Sequence, residues 1–486
     1  GIDMNAPSRD SASSSWIDYN NDGHLDLFVA NYGVTDELYL NDGTGTFTDE
    51  ATNALIANSG ASTGVAWGDY NGDGYPDLYV TRNVTSLLYA NQGNGQFADV
   101  TTATINPNGH GPTFVDYNGD GYQDLYVTSP GGADHLYEND GLGGFIDIAG
   151  TAQIDDSGAG HVGAWGDMDN DGDLDLYLSR INGASNLLFE NNGIGVFSDA
   201  TTDADVANFN NSRGVAWGDA DADGALDLFV VNIGQPNRLY MNNDITGNNY
   251  LRVNLEGSLS NRSGIGAVVS ATIGGNTQRI RVDGGSSRWN QNALPASFGL
   301  GAAPQVDALT VEWPSGIVQN LSNVAGNQTI TQLEVITLDV SIPHLTSPYD
   351  QLITVPVQVS ETSGAGIVSA EVFICYDGDL ITPFSSGLTG TLAAQGWSIQ
   401  SNIEEGGQID TYKIAMATDD DVLTGAGTLV NVVFQVANTR VPSSSVLQLK
   451  HVLFNDGTPG NTTTDGSLTI TGNTGTITSL PATIIP

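Results

Sequence analysis

The chain has 486 residues and a formal net charge of −43 at pH 7, with 61 glycines, 17 tyrosines and one cysteine. This length predicts more than one domain, the lone cysteine excludes an intrachain disulfide framework, and an acidic chain without basic clusters excludes nucleic acid as an expected partner. No apolar run reaches the ~20 residues of a membrane-spanning helix. The charge is concentrated in residues 1–247, which carry 37 acids and 5 bases and therefore −32.

Five acidic loops recur in this first segment. They read "DYNNDGHLD", "DYNGDGYPD", "DYNGDGYQD", "DMDNDGDLD" and "DADADGALD", and they begin at Asp18, Asp69, Asp116, Asp167 and Asp219. The starts are 51, 47, 51 and 52 residues apart. A period of about 50 residues is typical of blade-like repeats, so internal repetition is the first structural prediction.

Each loop offers the oxygen ligands that calcium prefers. Side chains at positions 1, 3, 5 and 9 and a backbone carbonyl at position 7 predict a site for one ion, and glycine at position 6 permits the sharp turn. About five Ca²⁺ ions are expected, since so many carboxylates would repel one another without a cation. Magnesium is disfavoured because it keeps several waters. The predicted ligands are Asp18, Asn20, Asp22, His24, Asp26; Asp69, Asn71, Asp73, Tyr75, Asp77; Asp116, Asn118, Asp120, Tyr122, Asp124; Asp167, Asp169, Asp171, Asp173, Asp175; and Asp219, Asp221, Asp223, Ala225, Asp227.

The ligand charge differs between the loops. Position 3 is asparagine in the first three loops and aspartate in the last two, so the side-chain charge of the set is −3 and then −4. Affinity for calcium depends on this charge. We therefore expect the loops at Asp167 and Asp219 to bind calcium more tightly than the other three.

The flanking residues predict strands on both sides of each loop. An EF-hand would place glutamate eleven residues after Asp69, where this chain has Val80 in the run "DLYVT". Short runs of β-branched and aromatic residues follow each loop, and Asn-x-Gly-x-Gly turns such as "ENDGLGGF" close a further hairpin. Each unit is then about four strands, which predicts a propeller blade.

Two further features recur by position. An aromatic residue stands two places before each loop, at Trp16, Trp67, Phe114, Trp165 and Trp217. Packing between blades is the favoured interpretation, ahead of a platform for sugars. His110 and His161 stand six places before their loops, where Thr63 and Arg213 are the matching residues. Two histidines on adjacent blades could bind a ligand near the axis.

These repeats resemble FG-GAP/VCBS repeats, the blades of integrin-α-like β-propellers. The nine-residue loop and the blade-length period carry the resemblance over residues 1–247. It implies calcium at the loop residues named above. Propellers of this family often have seven blades, whereas five loops are recognisable here, so the expectation is five blades, or up to seven if other segments supply the remainder.

Residues 248–336 change character and read as strands broken by glycine turns. The runs "SNRSGIGAVV", "FGLG" and "VDALTVEWPSG" closely resemble the UnbV/ASPIC domain, which implies a small β domain. This segment holds five of the thirteen bases of the chain, namely Arg252, Arg262, Arg279, Arg281 and Arg288. They either face the acidic propeller and fix the domain against it or are solvated.

Residues 337–474 alternate again at the spacing of a β-sandwich. The runs "VPVQV", "SAEVFICYD" and "LTGAGTLVNVVFQV" resemble a cohesin domain. The resemblance implies a jelly-roll-like sandwich whose partner is a dockerin-like module; a plain spacer is the other reading. Residues 475–486 are a Thr/Pro-rich tail. The whole chain is thus expected to be all-β: a propeller, a small β domain and a sandwich.

Catalytic motifs are missing from the sequence. There is no G-x-S-x-G, no H-E-x-x-H and no phosphate loop, and acids that bind metal are poor proton donors. We expect a secreted calcium-binding adhesion or scaffold protein, not an enzyme, which acts at the cell surface or outside the cell. Its expected partners are calcium and a dockerin-like module, another copy of itself or extracellular polysaccharide. The alternative is a lectin-like, polysaccharide-binding propeller; a glycan-active enzyme ranks last.

Overall fold

A computed structural model of the chain describes residues 10–334, apart from residues 106, 203, 244, 245 and 259, and the backbone of ten strands beyond residue 334. The chain divides into two compact units, Gly1–Glu334 and Val335–Pro486. Within the described residues the regular secondary structure is almost entirely strand. No helix there is long and apolar enough to cross a membrane.

Five antiparallel blades form a β-propeller in the first unit. Blades 1 to 4 have four strands each, and blade 5 has three among the described residues. The strands are β1 Ser11–Ile17, β2 Asp26–Thr35, β3 Glu37–Asn41, β4 Phe47–Asp49; β5 Ser59–Gly68, β6 Asp77–Arg82, β7 Leu87–Asn91, β8 Phe97–Asp99; β9 Gly111–Val115, β10 Asp124–Thr128, β11 His135–Asn139, β12 Phe145–Asp147; β13 Gly160–Gly166, β14 Asp175–Arg180, β15 Leu187–Asn191, β16 Phe197–Asp199; and β17 Ser212–Gly218, β18 Asp227–Asn232, β19 Arg238–Tyr240. One short helix, α1 Ala149–Ala152, follows β12.

The acidic loops connect the first and second strands of every blade. In blade 3, Val115 at the end of β9 pairs with Asp124 at the start of β10, and the chain reverses in the eight residues between them. The Asn-x-Gly-x-Gly turn then joins the third strand to the fourth, with Gly141 and Gly143 at φ values of 71° and 86°. Glycine adopts this left-handed region without a steric penalty. The predicted order of strand, loop, strand and hairpin is confirmed.

Aromatic side chains pack between neighbouring blades. Trp67, Trp165 and Trp217 each meet an aromatic ring of the preceding blade edge to face, with ring centroids 6.1, 5.6 and 6.5 Å apart. All three indoles are at most 6 % exposed. The predicted role of the aromatic residue before the loop, packing between blades, is confirmed at these positions.

The outer face of blade 5 and the first strand of blade 1 differ from this pattern. Phe229 of β18 is 41 % exposed, whereas Tyr177 at the equivalent position of blade 4 is fully buried. Leu239 of β19 is 52 % exposed, and Trp16 of β1 is 38 % exposed. Blades 5 and 1 therefore leave open the apolar positions that the other blades bury against their neighbours.

A second domain follows in the same unit and contains two sheets. Its strands are β20 Asn249–Glu256, β21 Val268–Ile273, β22 Asn276–Arg281, β23 Ala296–Gly301, β24 Gln305–Glu312, β25 Val318–Ala325 and β26 Gln328–Leu333. The sheet orders are β23-β20-β26 and β22-β21-β24-β25. Buried side chains of both sheets, among them Val269, Phe298 and Trp313, form one apolar core.

A segment of this second domain runs among the inner strands of the propeller. We call residues 284–293 the axial segment. The carbonyls of Gly284 and Ser287 accept hydrogen bonds of 3.1 Å from the amides of Trp16 and Val65, in blades 1 and 2. Asn292 binds blades 4 and 5, since its side chain donates to the Trp165 carbonyl at 2.9 Å and accepts from the Trp217 amide at 3.1 Å. The axial segment therefore ties together the centres of four blades.

The second unit contains two five-stranded sheets. Its strands are β27 Leu338–Ser341, β28 Leu352–Val359, β29 Ser369–Tyr376, β30 Ile381–Gly387, β31 Ser398–Glu404, β32 Asp410–Ala417, β33 Gly427–Val436, β34 Ser445–Phe454, β35 Gly466–Ile470 and β36 Ala482–Ile484. The sheet orders are β30-β33-β28-β27-β36 and β31-β32-β29-β34-β35. Strand β36 lies inside the Thr/Pro-rich tail and pairs with β27.

Candidate metal centres

All five acidic loops share one hydrogen-bond pattern. The carboxylate at position 1 accepts the backbone amides of positions 5 and 6, at 2.9 and 2.8 Å in the loop of Asp18. The same two bonds recur at 2.9 to 3.3 Å in the other four loops. The amide of position 7 also donates to the carboxylate of position 5, at 2.9 Å in every loop. These bonds turn the side chains of positions 1 and 5 towards one loop centre.

The carboxylate at position 9 is the most deeply buried of the predicted ligands. It begins the second strand of each blade, and its exposure is 0 or 1 % in all five loops. One of its oxygens accepts a backbone amide at 2.8 or 2.9 Å from an asparagine that ends the third strand or, in blade 5, follows it by two residues. These asparagines are Asn41, Asn91, Asn139, Asn191 and Asn242.

The same asparagines also connect neighbouring loops, which the sequence analysis did not anticipate. The amide side chain of Asn139 donates to the carbonyl of Tyr70, at position 2 of the preceding loop, at 2.7 Å. Equivalent bonds run from Asn91 to Tyr19 and from Asn191 to Tyr117, at 2.8 and 3.1 Å. The only sequence signal for this bond is the asparagine that begins each Asn-x-Gly-x-Gly turn. Asparagine is common in turns for local reasons, so its presence there does not predict a contact with another blade.

The arrangement of the loop oxygens fits a divalent cation. In the last two loops, one oxygen from each of positions 1, 3 and 9 lies within 4.8 Å of the others; these groups are Asp167, Asp169 and Asp175, and Asp219, Asp221 and Asp227. Burial, with help from neighbouring carboxylates, raises the pKa of Asp77 and Asp124 to about 8 and of Asp26 to about 7. Without a cation these groups resist ionisation, and a hard ion with oxygen ligands would offset that cost.

The residue at position 3 divides the loops into two groups, asparagine in the first three and aspartate in the last two. In the first three loops its amide nitrogen donates to the position 5 carboxylate, at 2.8 Å from Asn20 and at 3.0 Å from Asn71 and Asn118. The side chains at position 7 point elsewhere: the rings of Tyr75 and Tyr122 lie against the glycines of the adjacent hairpin turn. Only the backbone carbonyl of position 7 remains as its predicted ligand atom.

The second domain covers the last two loops. Arg252 forms a buried ion pair with Asp219, at position 1 of the last loop. The Gly301 amide donates to the Asn170 carbonyl in the loop of Asp167 at 2.8 Å. A side chain at Gly299 would collide with the Asp167 carboxylate, so glycine is required for this close approach. A cavity of about 350 Å³ at the junction is lined by propeller and second-domain residues, including Trp165, Asp167 and Arg281.

The five arginines of the second domain divide into two groups. Arg252 contacts the propeller through Asp219, and Arg288 contacts it through His110 at 3.2 Å. Arg262 and Arg279 pair with Glu256 and Glu312 of their own domain, at 2.8 and 3.5 Å. Arg281 is half-buried and donates to the Gly266 carbonyl at 2.9 Å. Arg252 therefore faces an acid of the propeller, as the hypothesis predicts, whereas Arg288 faces a histidine; that these arginines fix the domain against the propeller stays a prediction.

Comparison with protein families agrees with this architecture. The FG-GAP-like repeat matches residues 18–80, 69–127, 116–178 and 167–230. The ASPIC and UnbV model matches residues 257–335, and the cohesin domain model matches residues 338–470. The fold and loops define a β-propeller protein with further β modules. In particular, the chain carries FG-GAP-like repeats, an ASPIC and UnbV domain and a cohesin domain, in that order. FG-GAP and cohesin domains are typically non-catalytic binding modules.

Solved structures resemble parts of the chain. A lectin of Agrocybe aegerita that recognises non-reducing terminal N-acetylglucosamine is 19 % identical, with 48 % of this chain and 67 % of that chain covered and a TM-score of 0.33. The sixth cohesin of scaffoldin B from Acetivibrio cellulolyticus, in complex with a dockerin, is 19 % identical over 24 % of this chain and 86 % of that one, with a TM-score of 0.20. A cohesin of Clostridium thermocellum in complex with a dockerin is 18 % identical over 27 and 87 %, with a TM-score of 0.20. None of the curated proteins matches the chain.

Proposed function

We propose that this protein is a secreted, calcium-binding scaffold or adhesion protein that acts in extracellular assembly through protein–protein contacts. The observation that carries the proposal is the pairing of five like acidic loops with a cohesin domain on one chain. In this proposal about five Ca²⁺ ions hold the propeller rigid. The cohesin domain then joins the chain to a dockerin-like module or to another copy of itself. No catalytic step is assigned to the chain.

Calcium is supported by the donor set of the loops. Each loop combines a buried carboxylate at position 9, a buried or half-buried one at position 1, and asparagine or aspartate at position 3. Hard oxygen ligands in this number suit calcium better than magnesium. Each ion would neutralise charge inside a segment of −32, which reduces repulsion between blades. The ions therefore act on stability, and the binding surfaces lie elsewhere.

A binding assay on the full chain tests the scaffold function. Purified protein would be analysed for metal content and then mixed with a panel of dockerin-type modules in calcium and in chelator, with light scattering to detect self-association. We expect about five calcium ions per chain and either saturable dockerin binding or a calcium-dependent increase in mass. Because dockerins bind calcium themselves, the chelator could act on the dockerin instead of on this chain. The matched control is therefore the calcium-loaded chain mixed with a dockerin that is mutated in its own calcium loops. A monomer that binds no member of the panel would contradict the proposal.

Polysaccharide binding is the second candidate function. It is favoured by two exposed indoles, Trp16 and Trp289, at 38 and 47 % exposure. They line one groove of about 420 Å³ together with serine, asparagine and glutamine side chains. Aromatic faces combined with neutral hydrogen-bonding groups suit sugars. A glycan array probed with the full chain distinguishes this function, which predicts specific sugar hits, from a scaffold without glycan ligands.

A further inference from the structure

A second cluster of polar side chains lies at the end of the propeller axis opposite the acidic loops. The loops follow the carboxyl ends of the inner strands, so residues at or just before the start of these strands lie at the other end. His110, His161 and Arg213 come from three consecutive blades at matching positions of the repeat. The axial segment adds Arg288 and Trp289. We call these five residues the axial cluster.

The members of the axial cluster contact one another directly. The rings of His110 and His161 meet edge to face, with centroids 5.7 Å apart. A guanidinium nitrogen of Arg213 lies 3.0 Å from His161 Nε2, and one of Arg288 lies 3.2 Å from His110 Nδ1. The Arg288 guanidinium carbon is 4.6 Å from the centroid of the Trp289 ring, and that of Arg213 is 5.9 Å away. Two cations therefore converge on one indole.

The positive charge of this cluster is not balanced by a paired carboxylate. No ion pair joins Arg213 or Arg288 to an acid of the described residues. Asp10 and Tyr32 interact with Arg288 only through longer-range electrostatics, which favour its charged form. The Nε atoms of both arginines are buried and lack a hydrogen-bond partner in the described part of the chain. Two half-buried charges of the same sign are costly to hold together unless an ion of the opposite sign joins them.

The two histidines cannot provide the missing negative charge. Guanidinium groups only donate, so His161 Nε2 accepts from Arg213 and its proton is on Nδ1, 3.3 Å from the Arg213 carbonyl. Burial and the nearby arginines lower the pKa of His110 to about 4 and of His161 to about 3. Both rings are neutral at pH 7 and act as acceptors that orient the two guanidinium groups.

Trp289 is held in an unusual position beside a groove. Its φ is +67° and that of Ser287 is +63°, which is a strained region for residues with a side chain. Hydrogen bonds at 3.1 Å from the Val65 amide and 2.9 Å from the Ser13 hydroxyl fix the Ser287 carbonyl. The indole is nevertheless 47 % exposed. The groove of about 420 Å³ beside it is lined by Ser11, Ser13, Ser14, Trp16, Asn290 and Gln291, among others.

We propose that the axial cluster and this groove form a binding site for an anionic saccharide. A carboxylate of a uronic acid residue binds between the guanidinium groups of Arg213 and Arg288, and its pyranose ring stacks on Trp289. Hydroxyl groups of the neighbouring sugars bind the serine, asparagine and glutamine side chains of the groove. This inference goes beyond the scaffold function and narrows the polysaccharide candidate, on which it rests, to acidic glycans.

The chemistry of the site favours a sugar over an acidic peptide. Neutral hydroxyl and amide groups next to an exposed indole match the hydroxyl groups and the apolar face of a pyranose. The net charge of −43 opposes long polyanions, so a short acidic oligosaccharide is favoured over a long acidic peptide. Sulfate esters share the anionic chemistry, so the experiment must separate them from carboxylates.

Calorimetric titration of the full chain in calcium tests this site. The ligands are tetragalacturonate, its neutral methyl ester, a sulfated neutral tetrasaccharide and a short polyglutamate. The variants are Arg288→Gln and Trp289→Asn, because asparagine tolerates the left-handed backbone of that position. Arg238→Gln is the matched control, since Arg238 is an exposed base of blade 5 outside the cluster. We expect tetragalacturonate to bind and each cluster variant to weaken it by about tenfold or more, while Arg238→Gln leaves it unchanged.

Each other outcome has a defined meaning. Stronger binding of the sulfated sugar, lost in the same two variants, supports the anionic site and assigns sulfate as its group. Equal binding of the methyl ester overturns the anionic site but leaves polysaccharide binding intact. Preference for polyglutamate, an equal loss in Arg238→Gln, or failure of all four ligands to bind overturns the inference. Melting curves of the variants ensure that lost binding is not lost folding.

Discussion

The two ends of the propeller axis solve opposite electrostatic problems. At the loop end, carboxylates crowd together, and the base that the second domain brings there, Arg252, pairs with one of them. At the other end, Arg213 and Arg288 face neutral histidines and no carboxylate pairs with them in the described structure. The same second domain contributes to both ends. The chain therefore does not fully compensate the negative charge at the loop end or the positive charge at the other end. Each end is suited to bind a ligand of the opposite charge.

Removal of calcium is the test with the largest expected effect. With free calcium at a hundred times Kd, each site would add ~2.7 kcal/mol to the free energy of unfolding, so five would add about 13. A typical domain has ~5–15 kcal/mol in total. We therefore expect chelation to unfold or loosen the blades, seen by hydrogen exchange as lost protection in strands β1 to β19. Magnesium added back should not restore it; the same melting curve with and without chelator would contradict the prediction.

Substitution of Arg252 compares the two ends directly. Arg252→Gln removes the arginine that pairs with Asp219, although calcium bound at that loop would leave the carboxylate one cation. We expect a loss of up to ~3–5 kcal/mol, which is the cost of breaking a buried ion pair. The matched control is Arg262→Gln, since Arg262 is 85 % exposed and its pair with Glu256 is screened by water. Arg288→Gln at the other end should be neutral or stabilising without ligand, because it removes an unpaired charge. Denaturant titration in calcium measures all three, and equal effects of Arg252→Gln and Arg288→Gln would refute the difference between the ends.

The histidine pair predicts a pH dependence at the end without carboxylates. The pKa of His161 is about 3 in the folded chain and near 6.5 when unfolded, so the unfolded chain binds more protons between these values. The neutral ring's contribution to stability is therefore complete above pH 6.5 and is lost as pH falls towards 3. Between pH 6.5 and 5 we expect a loss of about 1.5 kcal/mol that His161→Gln abolishes.

The control for this pH effect is the wild-type chain over the same range. In calcium, protonation of the loop carboxylates competes with metal binding and so also destabilises the propeller at low pH, but it acts on wild type and His161→Gln alike. The difference between their unfolding free energies isolates the histidine. A difference that does not change with pH would show that the ring is not held neutral by its surroundings.

Local patterns in the sequence predicted the blades, whereas contacts between distant segments could not be predicted. Each loop and its flanking strands lie within about 20 residues, so the acidic spacing and the alternation fix them together. The axial segment reads "GGSSRWNQNA", which has no period, and its partners Trp16 and Val65 are more than 200 residues away. The sequence placed His110 and His161 on adjacent blades but gave no sign that Arg288 and Trp289 join them.

Substitutions at position 3 test the order of calcium affinity that the sequence alone predicts for the loops. Asp169→Asn gives the loop of Asp167 the ligand charge of the first three loops, and Asn118→Asp gives the loop of Asp116 the charge of the last two. We expect the first change to weaken and the second to tighten calcium binding at the altered loop, each by roughly threefold to tenfold, since affinity follows ligand charge and rigidity. Calcium titration by calorimetry measures both. If Asp169→Asn has no effect while Asn118→Asp tightens binding, the second domain that covers the loop of Asp167, and not its extra carboxylate, sets the affinity there.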